Sequence, residues 1–182
     1  MLRHLPRFGL ALSLTALAGC GSLSRPPLAT VERVDLERFM GDWYVIANIP
    51  TFIERGAHNA VESYRLDADG SIATTFTFRR GGFDGERAEY TPLGYVTDTE
   101  SNAIWGMQFI WPIKADFRIT YLDADYTVTA IGRQKRDYVW IMARTPQIPE
   151  ARYRDVLDHL AAQGYDISRI EPVPQRWPEA QP

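Results

Sequence analysis

The feature that most constrains this chain is a series of short apolar runs separated by turn signals. Eight runs have the length and the β-branched and aromatic content of strands: 43–47, 63–66, 72–78, 88–96, 103–111, 117–122, 126–131 and 138–143. In several of them apolar side chains recur at every second position, which is the period of a strand. The segment Asp67-Ala68-Asp69-Gly70 is typical of a hairpin turn. Short strands joined by close turns predict an all-β sandwich or barrel.

One helix is predicted after the last strand. Pro149 suits the first turn of a helix, and Gly164 suits its end. At helical spacing, one apolar face comprises Tyr153, Val156, Leu157 and Leu160. Such a face predicts a helix that packs on the outside of the sheet.

The last strand candidate, 138–143, is apolar on both faces, so it needs cover on both sides. A closed barrel with an outer helix provides this cover, because one face meets the helix and the other meets the barrel interior. We therefore expect an eight-stranded antiparallel up-and-down barrel with one C-terminal helix outside. The interior of such a barrel holds either packed side chains alone or one small ligand, and the strand count does not distinguish the two.

The N-terminus has the pattern of a secretory signal peptide. Arg3 and Arg7 precede the apolar run 8–18, which is too short to cross a bilayer as a helix of about 20 residues. The run ends in Leu17-Ala18-Gly19-Cys20, which contains the only cysteine of the chain.

This ending resembles the lipobox of bacterial lipoproteins, which implies cleavage before Cys20, lipidation of its thiol and acylation of the new amino group. Several acyl chains give a stable membrane anchor. Gly21 follows the cysteine where an aspartate favours the inner membrane, so we expect an outer-membrane protein on the periplasmic side. The resulting domains are a signal peptide (1–19), a lipidated tether (20–33), a folded domain (34–172) and a Pro-rich tail (173–182).

Composition limits the classes of function. Removal of residues 1–19 takes away two arginines and no acid, which leaves 18 basic residues against 23 acidic ones and a net charge of −5. Nothing in this balance indicates a nucleic-acid partner, which requires a basic face. The sequence has no Ser/His/Asp pattern with local support, no free thiol besides Cys20 and no metal-ligand spacing. We therefore expect no catalytic residue, no metal and no cofactor, and an enzyme ranks below a binding protein.

Motifs at both ends of residues 34–172 resemble those of the lipocalins, in particular the bacterial outer-membrane branch and its apolipoprotein D-like relatives. Gly41-Asp42-Trp43-Tyr44 matches the Gly-x-Trp-Tyr signature of the first strand, and Arg144 ends the last strand candidate. The segments 137–141, 144–146 and 164–166 match as well. The usual Thr-Asp-Tyr motif is replaced in this chain by Asp123-Ala124-Asp125-Tyr126. The resemblance implies a structural motif of Gly41, Trp43, Tyr44 and Arg144 at the barrel floor, with the arginine packed over Trp43.

The same resemblance implies binding of a small apolar molecule, with fatty acids and lysophospholipids as the expected partners and a homodimer as a possible assembly. Seven residues that share parity within their strands are the candidate cavity lining: Phe76, Phe78, Trp105, Met107, Phe109, Trp140 and Met142. Parity fixes which residues share a face but not which face is inside. Arg79 and Arg80 lie at the end of one strand candidate. They are either a clamp for an anionic headgroup or part of an exposed charged turn. A haem, retinoid or pigment carrier and a structural lipoprotein that binds nothing are the alternatives.

Overall fold

A computed structural model describes residues 25–178. Its helices are α1 (Leu36–Phe39), α2 (Glu150–Ala162) and a 3-10 turn (Ile167–Arg169). Its strands are β1 (Gly41–Ile49), β2 (Ala57–Leu66), β3 (Ser71–Arg80), β4 (Arg87–Tyr90), β5 (Leu93–Val96), β6 (Ile104–Ile110), β7 (Ile113–Leu122), β8 (Val128–Gly132), β9 (Val139–Ala143) and β10 (Glu171–Pro172). All eight predicted strand runs and the predicted outer helix are present, in the predicted order.

The strands form a closed antiparallel barrel in up-and-down order. Strands β1, β2 and β3 pair in sequence order, as do β5 to β9, and β1 also pairs with β9 to close the barrel. Both β4 and β5 pair with β3, and the break between them falls at Thr91 and Pro92, where proline has no N–H to donate. Taken together, β4 and β5 form one wall segment, so the barrel has eight. The predicted eight-stranded barrel with an external helix is confirmed.

Two apolar cores lie on opposite sides of the barrel wall. The interior core includes Phe76, Trp105 and Met142, while the outer core lies between the wall and α2. Val156 and Leu160 of α2 are fully buried in the outer core. β9 contributes to both, since Ile141 faces the helix and Met142 faces the interior, and this explains why the strand is apolar on both faces.

The segments flanking the barrel pack more closely than the sequence predicts. Leu28, in the predicted tether, is buried in the outer core, because its apolar side chain packs in the same cluster as Val156 and Leu160 of α2. Val173, in the predicted tail, is buried, and its N–H donates to the Ile46 carbonyl. The short strand β10, which ends directly before Val173, pairs with β1. The predicted signal peptide and Cys20 lie outside the described residues. No helix within 25–178 is long and apolar enough to cross a membrane.

A cavity open at one end of the barrel

The two ends of the barrel differ. At one end α1 lies across the opening, and Phe39 packs its ring against Trp43 and Trp105 with centroids 5.0 and 5.5 Å apart. We call this end the floor. At the other end, which we call the mouth, the chain passes through four connections: 50–56, 81–86, 111–112 and 133–138. Within the described chain, no helix covers the mouth.

Arg144 holds the floor together. Its guanidinium carbon lies 3.8 Å from the centre of the Trp43 ring. Its N–H groups donate to five backbone carbonyls at 2.8 to 3.3 Å, those of Arg38, Phe39, Met40, Asp42 and Tyr126. These carbonyls come from the end of α1, the start of β1 and the β7–β8 turn, so a single side chain joins three segments of the floor. A planar cation with five donors suits this arrangement, and lysine does not reproduce it.

The remaining signature residues differ in position. Gly41 has a φ of +94°, and a Cβ there would lie 3.4 Å from Arg144 Nη1, so glycine suits both the backbone and the space. Trp43 donates from Nε1 to the Phe39 carbonyl at 2.9 Å. Tyr44 faces outward, because neighbours in a strand alternate, and it contacts Trp177 edge to face rather than the floor.

A cavity of about 530 Å³ lies between the floor and the mouth. This volume falls within the range of small-molecule sites. Its apolar wall consists of Phe52, Ile53, Phe76, Pro92, Met107, Phe109, Ile110, Ala115, Phe117, Ile131 and Trp140. Its polar wall consists of Thr51, Glu54, Glu62, Thr74, Tyr90, Thr91, Asp116 and Arg133. A largely apolar, open cavity with a few polar groups suits an amphipathic small molecule.

The structure places the seven predicted lining residues on the interior side of the wall, in two sets. One set reaches the cavity surface: Phe76, Met107, Phe109 and Trp140. The other set is packed within the interior core without reaching the cavity: Phe78, Trp105 and Met142. Trp105 stacks on Phe117 with centroids 4.8 Å apart, so it fills the space above the floor. Contact of either set with a ligand stays a prediction.

The β1–β2 connection folds over the mouth through Glu54. This carboxylate is buried, and its Oε1 accepts a hydrogen bond from Trp140 Nε1 at 2.6 Å. Its Oε2 accepts from the Thr51 N–H at 2.9 Å and from the Thr51 hydroxyl. The carboxylate therefore ties the loop to β9 and fixes the orientation of the Trp140 ring in the cavity wall.

Glu62 is an acid within the cavity wall. It lies on β2 opposite Trp43 and Phe76, and the Tyr64 hydroxyl donates to it. Desolvation by the surrounding protein raises the pKa of Glu62 to about 7, a rise that the Tyr64 hydrogen bond opposes and the charge of Glu54 supports. Desolvation also raises the pKa of Tyr64 well above its usual value. The cavity thus holds a carboxyl group that is protonated below neutral pH.

Arg133 is the arginine of the cavity wall. It is half-buried at the start of the β8–β9 turn, where it contacts Asp137 at 3.4 Å. Its Nε is buried and has no hydrogen-bond partner within residues 25–178. Arg79 and Arg80, which the sequence offered for a headgroup, do not line the cavity: Arg79 donates to the Gly85 carbonyl and Arg80 to the Tyr90 hydroxyl.

Sequence reasoning missed Glu54, Glu62 and Arg133. For Glu62 a signal was present, because it shares parity with Tyr64, so an inward-facing Tyr64 places the carboxylate inside as well. Glu54 and Arg133 lie in connections, where no periodicity indicates the direction of a side chain.

Comparison with known proteins agrees with this architecture. A family model described as a lipocalin-like domain matches residues 34–175. The chain therefore belongs to the lipocalin family, and the predicted resemblance is confirmed. As a member of this family, the chain is a binding protein rather than an enzyme.

Two of the relatives found in the comparisons illustrate the match over most of the chain. The temperature-induced lipocalin-1 of Arabidopsis thaliana is 31% identical over 81% of this chain and 83% of its own. The outer membrane lipoprotein Blc of Escherichia coli is 27% identical over 93% of this chain and 96% of its own. Among solved structures, insecticyanin of the tobacco hornworm Manduca sexta superposes with a TM-score of 0.68 at 14% identity, over 86% of this chain and 88% of that one. The family and the cavity together indicate that the ligand is small and hydrophobic.

Proposed function

We propose that this protein stores or transports fatty acids or lysophospholipids for maintenance of the bacterial envelope. The observation that carries the proposal is the open apolar cavity of about 530 Å³ with one under-bonded arginine, Arg133, in its wall. An open cavity favours a carrier over a barrel whose interior is filled by its own side chains.

The acyl chain supplies the affinity. Each methylene removed from water contributes about 0.8 kcal/mol, so about ten of them contribute roughly 8 kcal/mol before the cost of ordering the chain and restricting its motion. Trp140 and Phe76 offer flat apolar surface for such a chain. The ligand leaves as it entered, and no bond is made or broken.

Arg133 provides the headgroup contact. A guanidinium binds a carboxylate or phosphate through two parallel hydrogen bonds, and a bound anion would supply the partner that Arg133 Nε lacks within residues 25–178. The contact with Asp137 at 3.4 Å is long enough to be exchanged for a bound anion. Fatty acids and lysophospholipids share this anionic chemistry.

The proposed location rests on Cys20. Lipidation at this cysteine would anchor the protein to the outer membrane, which the name of the Escherichia coli relative gives for that protein, and we place this chain on the periplasmic side. Mass spectrometry of the protein isolated from membranes tests this: we expect an N-terminal peptide that starts at Cys20 with three acyl chains. An unmodified N-terminus at another residue would contradict it. A homodimer stays a prediction, which sedimentation velocity of the purified protein tests.

Native mass spectrometry tests the cargo. We expect residues 21–182, once delipidated, to form one-to-one complexes with a lysophospholipid and with a long-chain fatty acid. Arg133→Gln should weaken both while it leaves binding of an uncharged long-chain alcohol unchanged, and Arg169→Gln, an exposed arginine outside the cavity, is the matched control. Equal binding by wild type and Arg133→Gln would contradict the headgroup role. A coloured protein as purified would favour a pigment or haem as cargo.

A further inference from the structure

Five exposed apolar side chains lie around the mouth, and we call them the apolar rim. Their exposed fractions run from 53 to 82%, in the set Phe52, Phe109, Ile110, Trp111 and Ile113. Phe52 comes from the β1–β2 connection and the other four from the β6–β7 hairpin. The two connections lie on opposite sides of the mouth in the strand order, and both reach the cavity wall. Apolar residues clustered at this exposure mark a surface that contacts another apolar phase.

Basic side chains lie on two sides of the apolar rim. Arg55 is three residues after Phe52, and Lys135 lies in the β8–β9 turn beside Arg25; all three basic residues are exposed. The exposed acids of the mouth, Asp84 and Glu86, are confined to the β3–β4 turn, which adjoins the β1–β2 connection. Aromatic and aliphatic tips flanked by lysine and arginine have the composition of a segment that lies at an anionic membrane surface.

The start of the described chain lies at the same end. Arg25 donates from Nη1 to the Lys135 carbonyl at 3.3 Å, and the Leu28 N–H donates to Gln134 Oε1 at 2.9 Å. Cys20 stands five residues before Arg25, and five residues span at most about 17 Å. An anchor on Cys20 would therefore hold the mouth, and not the floor, next to the bilayer.

We propose that the apolar rim docks into the surface of an anionic lipid bilayer, so that the cavity opens onto the membrane. Lipid would then pass between bilayer and cavity along Phe109 and Ile110, which belong to both the rim and the cavity wall. The inference rests on the proposed lipid carriage and anchor. A second copy of the chain suits the rim less well, because a two-fold contact through this patch brings like charges together.

Vesicle sedimentation tests the docking. The protein is the chain from residue 21 onward, which keeps every described residue and lacks the anchor; the vesicles are phosphatidylcholine and phosphatidylglycerol at 3:1. We expect the wild type to sediment with vesicles and the emission of exposed Trp111 to shift to the blue. Trp111→Ser with Ile113→Ser should lower the partition coefficient at least about tenfold, since each lost apolar contact costs about that factor. Leu93→Ser, an exposed apolar residue on the side wall, should change it less than about twofold.

Two further variants separate causes. Trp111→Phe should keep the partition and abolish the emission shift, and Arg55→Glu with Lys135→Glu should weaken binding to anionic vesicles. Equal partition of the wild type and the Trp111→Ser, Ile113→Ser double variant would overturn the proposal. So would a wild-type dimer that this double variant dissociates, which would make the rim a subunit interface.

A cargo measurement keeps docking and carriage distinguishable. In native mass spectrometry with monomeric lysophospholipid and no vesicles, the Trp111→Ser, Ile113→Ser variant should bind as the wild type does, because both positions lie outside the cavity wall. Docking without any lipid complex would refute the proposed cargo alone, whereas a lipid complex without docking would refute the apolar rim's role alone.

Discussion

Replacement of Arg144 by lysine should destabilise the barrel without removing its ligand site. Arginine donates here to five carbonyls from three segments of the floor and covers Trp43. A lysine ammonium has three donors, so at least two charge-assisted hydrogen bonds are lost, each worth about 1.5 to 3 kcal/mol. Because the site is half-buried and water can reach some carbonyls, we take the lower value for each, which gives about 3 kcal/mol.

Thermal unfolding followed by circular dichroism measures this loss. For a domain of this size about 3 kcal/mol corresponds to a fall in Tm of roughly 6 to 12 °C. Arg154→Lys is the matched control, because Arg154 is exposed on α2 and makes only a surface ion pair with Glu150 at 3.5 Å, so its Tm should move by no more than about 2 °C. At a temperature where both variants are folded, lipid binding should match the wild type, since the cavity wall excludes Arg144. An Arg144→Lys Tm equal to that of the control would refute the account of the floor.

Two other substitutions test the cavity wall and the outer core. In the folded chain Glu62 keeps a proton that the unfolded chain releases between about pH 4.5 and 7, so stability should fall by up to about 3 kcal/mol as pH rises through this interval and stay level above it. Glu62→Gln should remove this slope in urea unfolding, while exposed Glu89→Gln should retain it; an unchanged slope in Glu62→Gln would assign it to another group. A Cβ on Gly132 would lie 2.4 Å from the Tyr165 hydroxyl, so Gly132→Ala should cost about 1 to 3 kcal/mol, with Gly82→Ala, in open space, as control. Full stability of Gly132→Ala would contradict the tight packing of the C-terminal segment against β8.

The barrel is predictable from the sequence because its signals are local. Alternating apolar residues set the strands, the segment 67–70 makes the β2–β3 turn with an Asp67 N–H to Ser71 carbonyl bond, and Gly164 ends α2 with a φ of +87°. The fit of Arg144 over Trp43 follows from the family motif, although the two residues are a hundred positions apart. Each of these features depends on neighbouring residues or on a pattern that spans the whole fold.

The cavity is predictable only in part, because its shape depends on contacts between distant segments. Strand parity groups Phe76 with Phe78, but only the closed barrel shows that Phe76 reaches the cavity and Phe78 does not. The inward fold of residues 50–56 rests on the Glu54 to Trp140 hydrogen bond, whose partners are 86 residues apart. The burial of Leu28 likewise depends on α2, more than a hundred residues later.

The most direct test of the account is a calorimetric titration of a lysophospholipid, below its micelle concentration, into the wild type and into Ala115→Trp. Ala115 is a partly buried residue of the cavity wall, so an indole there would occupy space that the acyl chain needs. We expect one-to-one binding by the wild type, at least about tenfold weaker binding by Ala115→Trp with its Tm retained, and unchanged binding by Ala162→Trp on the exposed face of α2. Equal affinity of all three proteins would show that the lipid binds outside the barrel and would contradict the central claim.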